Sequence, residues 1–232
     1  MTSAVIELSD VSKDYRGLRP LRIARLAVEP GEHVAIIGLD QPAAEVFLNL
    51  LTGATLPDRG DVRVFGRPTA SIADGDQWLA FVDRFGIVSE RAVLLERLSV
   101  IQNLAVPFTL EIEPPPADVR ARAAALADEV GIDQATSSRA VGDLDPASRA
   151  RVRLARALAL DPAILLVEHL SAGVPRHDVP MLGAAIRSVA ARRGAALVAA
   201  TADRAFARAI ARRVLTLDPA TGGLSEGSRW FR

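Results

Sequence analysis

Three features of the sequence predict a mixed α/β fold. Ala163-Ile-Leu-Leu-Val is an unbroken apolar run, as expected of a parallel strand buried on both faces. After it, helix-period and strand-length segments alternate to the end of the chain. Before it, short strand-like runs are separated by Gly- and Pro-containing turns. A length of 232 residues suits one domain, or one domain with a helical insertion.

The first expected strand is Ala4-Val-Ile-Glu-Leu, which alternates in polarity. A second, Leu21 to Val28, stops at the turn Glu29-Pro-Gly-Glu. His33 to Ile37 is a short buried strand closed by Gly38, and Val46 to Leu51 forms the apolar part of a helix closed by Gly53. Pro57-Asp-Arg-Gly-Asp turns into the strand Val62-Arg-Val-Phe, and Phe85 to Val88 is another strand. The proline-rich stretch 107–116 reads as extended and as a boundary. Val119, Ala123, Leu126 and Val130 then mark a helix over 117–130, and 145–160 reads as a helix with one basic face. The remaining elements are helix 179–193, strand 196–200, helix 204–212 and strand 214–217.

Composition narrows the function. Half the residues are apolar and only 4% aromatic, so the core must be built from Ala, Val, Leu and Ile. Formal net charge is zero, which gives no general attraction to nucleic acid or an acidic membrane. Without cysteine there are no disulfides or thiolate metal sites, and no His, Asp and Glu set has metal-ligand spacing. Neither a signal-peptide pattern nor an apolar run of roughly 20 residues is present, so a soluble cytoplasmic chain is expected.

The most telling segment follows the third strand: Gly38-Leu-Asp-Gln-Pro-Ala-Ala-Glu45. A phosphate-binding loop here would read G-x-x-x-x-G-K-[ST], with backbone amides around phosphate, Lys on its charge and a hydroxyl on Mg²⁺. Only Gly38 remains. Ala43 stands for the second Gly, Ala44 for the Lys and Glu45 for the hydroxyl, and Lys13 is the sole lysine of the chain. The replacements make a sound helix start. Asp40 is a good N-cap, Pro42 after the loop residue Gln41 suits the first turn, and Glu45 is favoured near the positive helix end. Asp40 and Glu45 are therefore expected to satisfy the helix N-terminus in place of phosphate.

The order of segments resembles the ATP-binding subunit of ABC transporters over nearly the whole chain. Val11-Ser-Lys-Asp-Tyr15 resembles the A-loop, whose aromatic stacks on adenine. Glu29 to Gly38 resembles the approach to Walker A, and Leu50 to Gly66 the segment after it. Leu95-Glu-Arg-Leu-Ser-Val-Ile-Gln-Asn-Leu resembles the stretch beyond the Q-loop. Arg151 to Val167 resembles the signature helix running into Walker B, and Ser171-Ala-Gly-Val the D-loop.

This resemblance implies a P-loop NTPase core with a mixed sheet over about 1–87 and 161–232, and a helical subdomain over about 88–160. It also places the departures. Glu90 stands at the Q-loop glutamine, Leu144-Asp145-Pro146-Ala147-Ser148 at the LSGGQ signature, Glu168 at the Walker B aspartate, His169 at the catalytic glutamate and Ala202 at the switch histidine. Of the expected polar site only Tyr15 is intact. In the family each composite site joins one subunit's Walker motifs to its partner's signature, so both sites of a dimer containing this chain would be altered.

Individual residues carry two readings each. His169 could act as a general base, or simply end a buried strand with a polar group, since no phosphate clamp adjoins it. Glu168 alone is a poor Mg²⁺ site. Tyr15 is an adenine platform or half-buried packing. Arg149, Arg153 and Arg156 are a phosphate-facing stripe or, more simply, a solvated helix face. The resemblance implies a catalytically impaired homologue serving as a structural or regulatory subunit. It would sit at the inner face of the membrane on a permease, paired with itself or another ABC ATPase subunit. The stretch Leu98-Ser-Val-Ile-Gln-Asn-Leu-Ala-Val-Pro resembles small subunits of lipid and lipoprotein export or cell-division complexes. The alternative is a subunit that still binds ATP and contributes to hydrolysis in a heterodimer.

Overall fold

The computed structural model describes residues 4–226. Its elements are β1 (Ile6–Lys13), β2 (Leu21–Val28), β3 (His33–Ile37), α1 (Gln41–Leu51), β4 (Arg59–Val64), β5 (Arg67–Pro68), α2 (Gly75–Val82), β6 (Phe85–Ser89), α3 (Val100–Ala105), α4 (Ala117–Glu129), α5 (Gln134–Ser137), α6 (Pro146–Ala157), β7 (Ile164–Glu168), α7 (Val179–Arg192), β8 (Ala196–Ala200), α8 (Arg204–Ile210), β9 (Arg213–Leu217) and β10 (Leu224–Glu226).

Two sheets result. An antiparallel sheet has the order β2-β1-β4-β5, and a six-stranded sheet runs β10-β9-β3-β8-β7-β6. The inner pairs β9-β3-β8-β7-β6 are all parallel, and β10 adds an antiparallel edge. Burial on both faces explains why β7 and β8 read as continuous apolar runs. One side of the six-stranded sheet shares a core with α1 and the antiparallel sheet, built around Ile6, Leu26, Val34, Phe47 and Leu50. The other side packs against α6, α7 and α8 around Leu154, Leu165, Ile186, Leu197 and Phe206.

The helices α3 to α6 lie between β6 and β7. Because β6 runs to Ser89 within the main sheet, the insertion starts a residue or two beyond the expected 88. The proline-rich stretch 107–116 forms no helix or strand. It links α3 to α4 inside the insertion and is tied down by Gln102 Nε2 donating to the Ile112 carbonyl at 3.1 Å and by Arg122 over the Phe108 ring at 3.8 Å.

Several elements exceed the sequence expectation, β5 and the one-turn α5 among them. β1 is longer than 4–8 because pairing with β2 continues to Lys13 opposite Leu21. α2 is short, begins at Asp74, whose side chain accepts from Gln77 N–H, and is held by Trp78 Nε1 donating to the Thr52 carbonyl. α3 carries a capping box of Ser99 and Gln102. β10 exists through its pairing with β9.

Candidate functional site

The loop after β3 is built for close packing. Gly38 has φ +105°, and a Cβ there would lie 2.8 Å from the Leu217 carbonyl oxygen. Both facts require glycine, because side chains avoid this region and backbone cannot yield. Asp40 is extended and accepts from the Ala43 N–H at 2.9 Å, and Pro42 occupies the first turn of α1. The N-cap expectation for Asp40 therefore agrees with the geometry. Ala43 and Ala44 are buried, Ala44 completely. Gln41 and Pro42 face solvent.

Glu45 does something different from what was expected. It does not serve the helix N-terminus, because it lies one full turn along α1 and turns outward. Its Oε1 pairs with Arg91 Nη1 at 2.6 Å. The same guanidinium reaches the end of β7, where Nη2 and Nε donate to Glu168 Oε2 at 2.9 and 3.1 Å. Ser89 Oγ donates to that oxygen at 2.7 Å and accepts from the Arg91 N–H at 3.1 Å. The Glu168 side chain is fully buried, whereas those of Arg91 and Glu45 are 42% and 44% exposed. One arginine thus joins α1 to the tip of β7 through two carboxylates.

Arg91 and Ser89 were not singled out from sequence. The available signal was charge complementarity: Glu45 and Glu168 stand at family positions that would share one phosphate and metal site. Two carboxylates brought that close call for a cation, and Lys13 is elsewhere, paired with Asp58 at 2.8 Å.

Around this bridge the other expected positions separate. Glu90 is exposed, with its carboxylate above Gly173 of the 171–174 turn. His169 has φ +43°, and its N–H donates to the Ala200 carbonyl at 2.9 Å, closing the end of β7. Its Nε2 is buried without a hydrogen-bond partner, as is Glu168 Oε1. Ala202 is exposed, between Thr201 and the α8 cap Asp203, which accepts from Ala205 and Phe206 N–H.

Leu144 is buried and Asp145-Pro146-Ala147-Ser148 is a self-contained helix start. Asp145 accepts from Ser148 N–H at 2.9 Å and from Ser148 Oγ at 2.6 Å. Burial alone would raise the Asp145 carboxyl, but the Ser148 hydroxyl and the backbone amides outweigh it and hold it below the usual carboxylate value. Tyr15 lines a small cavity of about 180 Å³ with Gly38, Asp40 and Leu217. Burial, then the nearby Asp40 charge, pushes its phenol above the ordinary value.

The basic face of α6 is not a solvated stripe. Arg149 donates to the Gly142 and Leu144 carbonyls at 2.6 and 3.0 Å. Arg153 donates to Ala92 at 3.4 Å and Arg156 to Val93 at 2.7 Å, fastening the segment after β6 onto α6. Burial lowers the affinity of Arg153 and Arg156 for their protons relative to a free guanidinium. Among the described residues there is no group of three or more His, Cys, Asp or Glu side chains able to hold a metal ion.

A family model described as "ABC transporter" matches residues 21–169, which include β2, β3, α1 and the strand ending at Glu168. The chain belongs to the ABC transporter family. The methionine import ATP-binding protein MetN of Brucella abortus is 28% identical over 218 residues, covering 94% of this chain and 58% of that protein. The lipoprotein-releasing system ATP-binding protein LolD of Saccharophagus degradans is 26% identical over 211 residues, covering 89% of this chain and 92% of LolD. Thus the chain spans just over half the length of the MetN relative and most of the LolD one. The ATP-binding cassette MJ0796, solved as a dimer in a post-hydrolysis state with ADP and Pi, superposes with a TM-score of 0.75. That match has 20% identity over 95% of this chain and 98% of MJ0796 and shows the shared fold. The ABC ATP-binding domain described here is accordingly a mixed α/β P-loop NTPase fold with a helical insertion.

Proposed function

We propose that this ABC ATP-binding-domain homologue does not hydrolyse ATP and serves as a structural or regulatory subunit of a transporter complex. The observation that carries this reading is the Glu45–Arg91–Glu168 bridge. The residues present do not fit a magnesium-bound triphosphate. No Lys or hydroxyl stands on α1, the Ala43 amide is already bonded to Asp40, and the two carboxylates nearest the vacated chemistry are bridged by one arginine, which leaves the trio net negative. His169 has no phosphate clamp beside it, and Asp145 would repel a phosphate presented by a partner subunit.

The segment after β6 supports the docking half of the proposal. Val93 and Leu95 are 75% and 40% exposed, on a loop held from beneath by Arg153 and Arg156. That is a preorganised apolar surface of the kind a membrane permease could engage. The similarity to LolD fits a small subunit of a lipid or lipoprotein export system, held at the inner face of the membrane by a permease and paired with a second ATPase subunit. Among the described residues no helix is long and apolar enough to cross a membrane.

The test is calorimetric titration of the full chain with Mg-ATP, alone and with a catalytically intact ABC ATPase partner. The expected result is no binding by the chain alone up to about 1 mM, the weak end of ordinary substrate affinities, and no binding in the mixture beyond that of the partner itself. Micromolar binding would refute the proposal and favour an ATP-binding subunit of a heterodimer, with the Tyr15 cavity as the base site.

A further inference from the structure

At the end of β3 remote from Gly38, about 13 Å along the strand, lies a cleft of about 860 Å³. It opens where β3 and β9 begin, beside the second half of α7 and the residue Arg212 that follows α8. Its walls include His33, Arg187, Ser188, Arg212 and Arg213.

Arg213 is committed, pairing with Glu32 at 3.1 Å and Glu226 at 3.4 Å. Arg187 and Arg212 make no ion pair with a carboxylate among the described residues. His33 is 9% exposed, and its Nε2 is buried without a hydrogen-bond partner. The backbone at Ala195 favours a proton on the ring. Burial, aided by the charges of Arg187 and Arg212, outweighs that effect and favours the neutral imidazole. A neutral ring with its proton on Nδ1 leaves Nε2 as an acceptor with nothing to accept from.

One ligand chemistry answers all of these needs. It must be anionic, to meet two guanidiniums, and must also carry a proton to donate. A carboxylate or sulfate lacks that proton at neutral pH. A phosphate group, with its second ionisation near pH 6, has acceptor oxygens and, in part of its population, a P–OH. We propose that this cleft is a phosphate-binding site in which Arg187 and Arg212 clamp the anion and His33 accepts from its protonated oxygen. Ser188 adds a hydroxyl at the rim. The volume far exceeds one phosphate, so a phosphorylated organic molecule fits, its carbon skeleton lying along Ala184 and Ala191.

The chain has three histidines, so imidazole NMR can follow each one. The full-length protein is titrated with sodium phosphate, and separately with sodium sulfate, at constant ionic strength. His33 signals are expected to move saturably with phosphate and much less with sulfate. The midpoint of its titration should rise by about one pH unit, as for an opposite charge arriving within ~6 Å. Glu32, Arg213 and Glu226 also face this region and are paired with one another.

The variant Arg187→Gln/Arg212→Gln should lose about tenfold or more in affinity, while Arg208→Gln on the exposed side of α8 should lose none. Should the double variant fail to fold, the phosphate–sulfate comparison on the wild type decides. Glycerol 3-phosphate binding more tightly than phosphate identifies an organic ester as the source, and equal affinity identifies free phosphate. The proposal is overturned if His33 is unmoved up to about 10 mM phosphate, a limit of weak binding. It is equally overturned if sulfate matches phosphate, or if exposed His177 responds as strongly as His33.

Discussion

Replacing Arg91 by Met keeps the stem of the side chain and removes the charge that joins Glu45 to Glu168. The two legs differ in weight. Glu45 and Arg91 are both more than two-fifths exposed, so their pair contributes about 0.5 kcal/mol at most. Glu168 is fully buried and loses two donors, keeping only Ser89 Oγ on one oxygen while the other has no partner. Breaking a wholly buried pair typically costs ~3–5 kcal/mol, and the partial exposure of Arg91 reduces this to about 2–3 kcal/mol. For a chain of this size that is a fall in Tm of about 5–10 °C. Glu168→Gln alone should cost less, since a neutral amide needs no counter-charge. In the double variant the two losses should overlap, giving a coupling of about 1–2 kcal/mol in urea unfolding. A coupling below about 0.5 kcal/mol would show that the bridge is incidental and would remove the main support for an internally bridged site.

Other positions give independent checks. Asp145→Ala should cost about 1 kcal/mol by loss of the α6 cap, read by chemical denaturation at pH 7. Because the folded Asp145 carboxyl is held below its ordinary value, that contribution is present above about pH 4 and fades as pH falls through the folded value, so wild type and variant should converge in acid. Gly38→Ala should cost about 1–3 kcal/mol, since it combines a positive φ with a backbone clash at Leu217, and a cost near zero in urea unfolding would contradict that geometry. Ala44→Lys with Glu45→Ser should destabilise by about 2 kcal/mol or more, as a lysine enters a fully buried position, and should not raise Mg-ATP affinity in calorimetry. A large gain in affinity would mean the phosphate cradle is still in place.

The parallel strands and long helices were legible because burial on both faces leaves an uninterrupted apolar signature, as in Ile164 to Val167 and Leu197 to Ala200. The cap of α1 was legible because Asp40 acts on an amide three residues away. α2 and α3 were missed because short helices depend on local caps, at Asp74 and Ser99, more than on periodicity. The arginines of α6 were misread for a different reason. Periodicity places Arg149, Arg153 and Arg156 on one face but says nothing of the carbonyls that the segment after β6 brings to meet them. Likewise Arg91 lies far along the chain from both Glu45 and Glu168, 77 residues from the latter, and only the charges were legible.

Arg91 has a further consequence as a counter-ion that belongs to the chain. A dissociable cation neutralises two carboxylates only while its concentration exceeds its dissociation constant, so the fold would feel every change in supply. A tethered guanidinium is present at a fixed effective concentration set by the few bonds that hold it beside Ser89. Under the proposed function, the junction between α1 and β7 keeps one surface whatever the magnesium and nucleotide content of its surroundings.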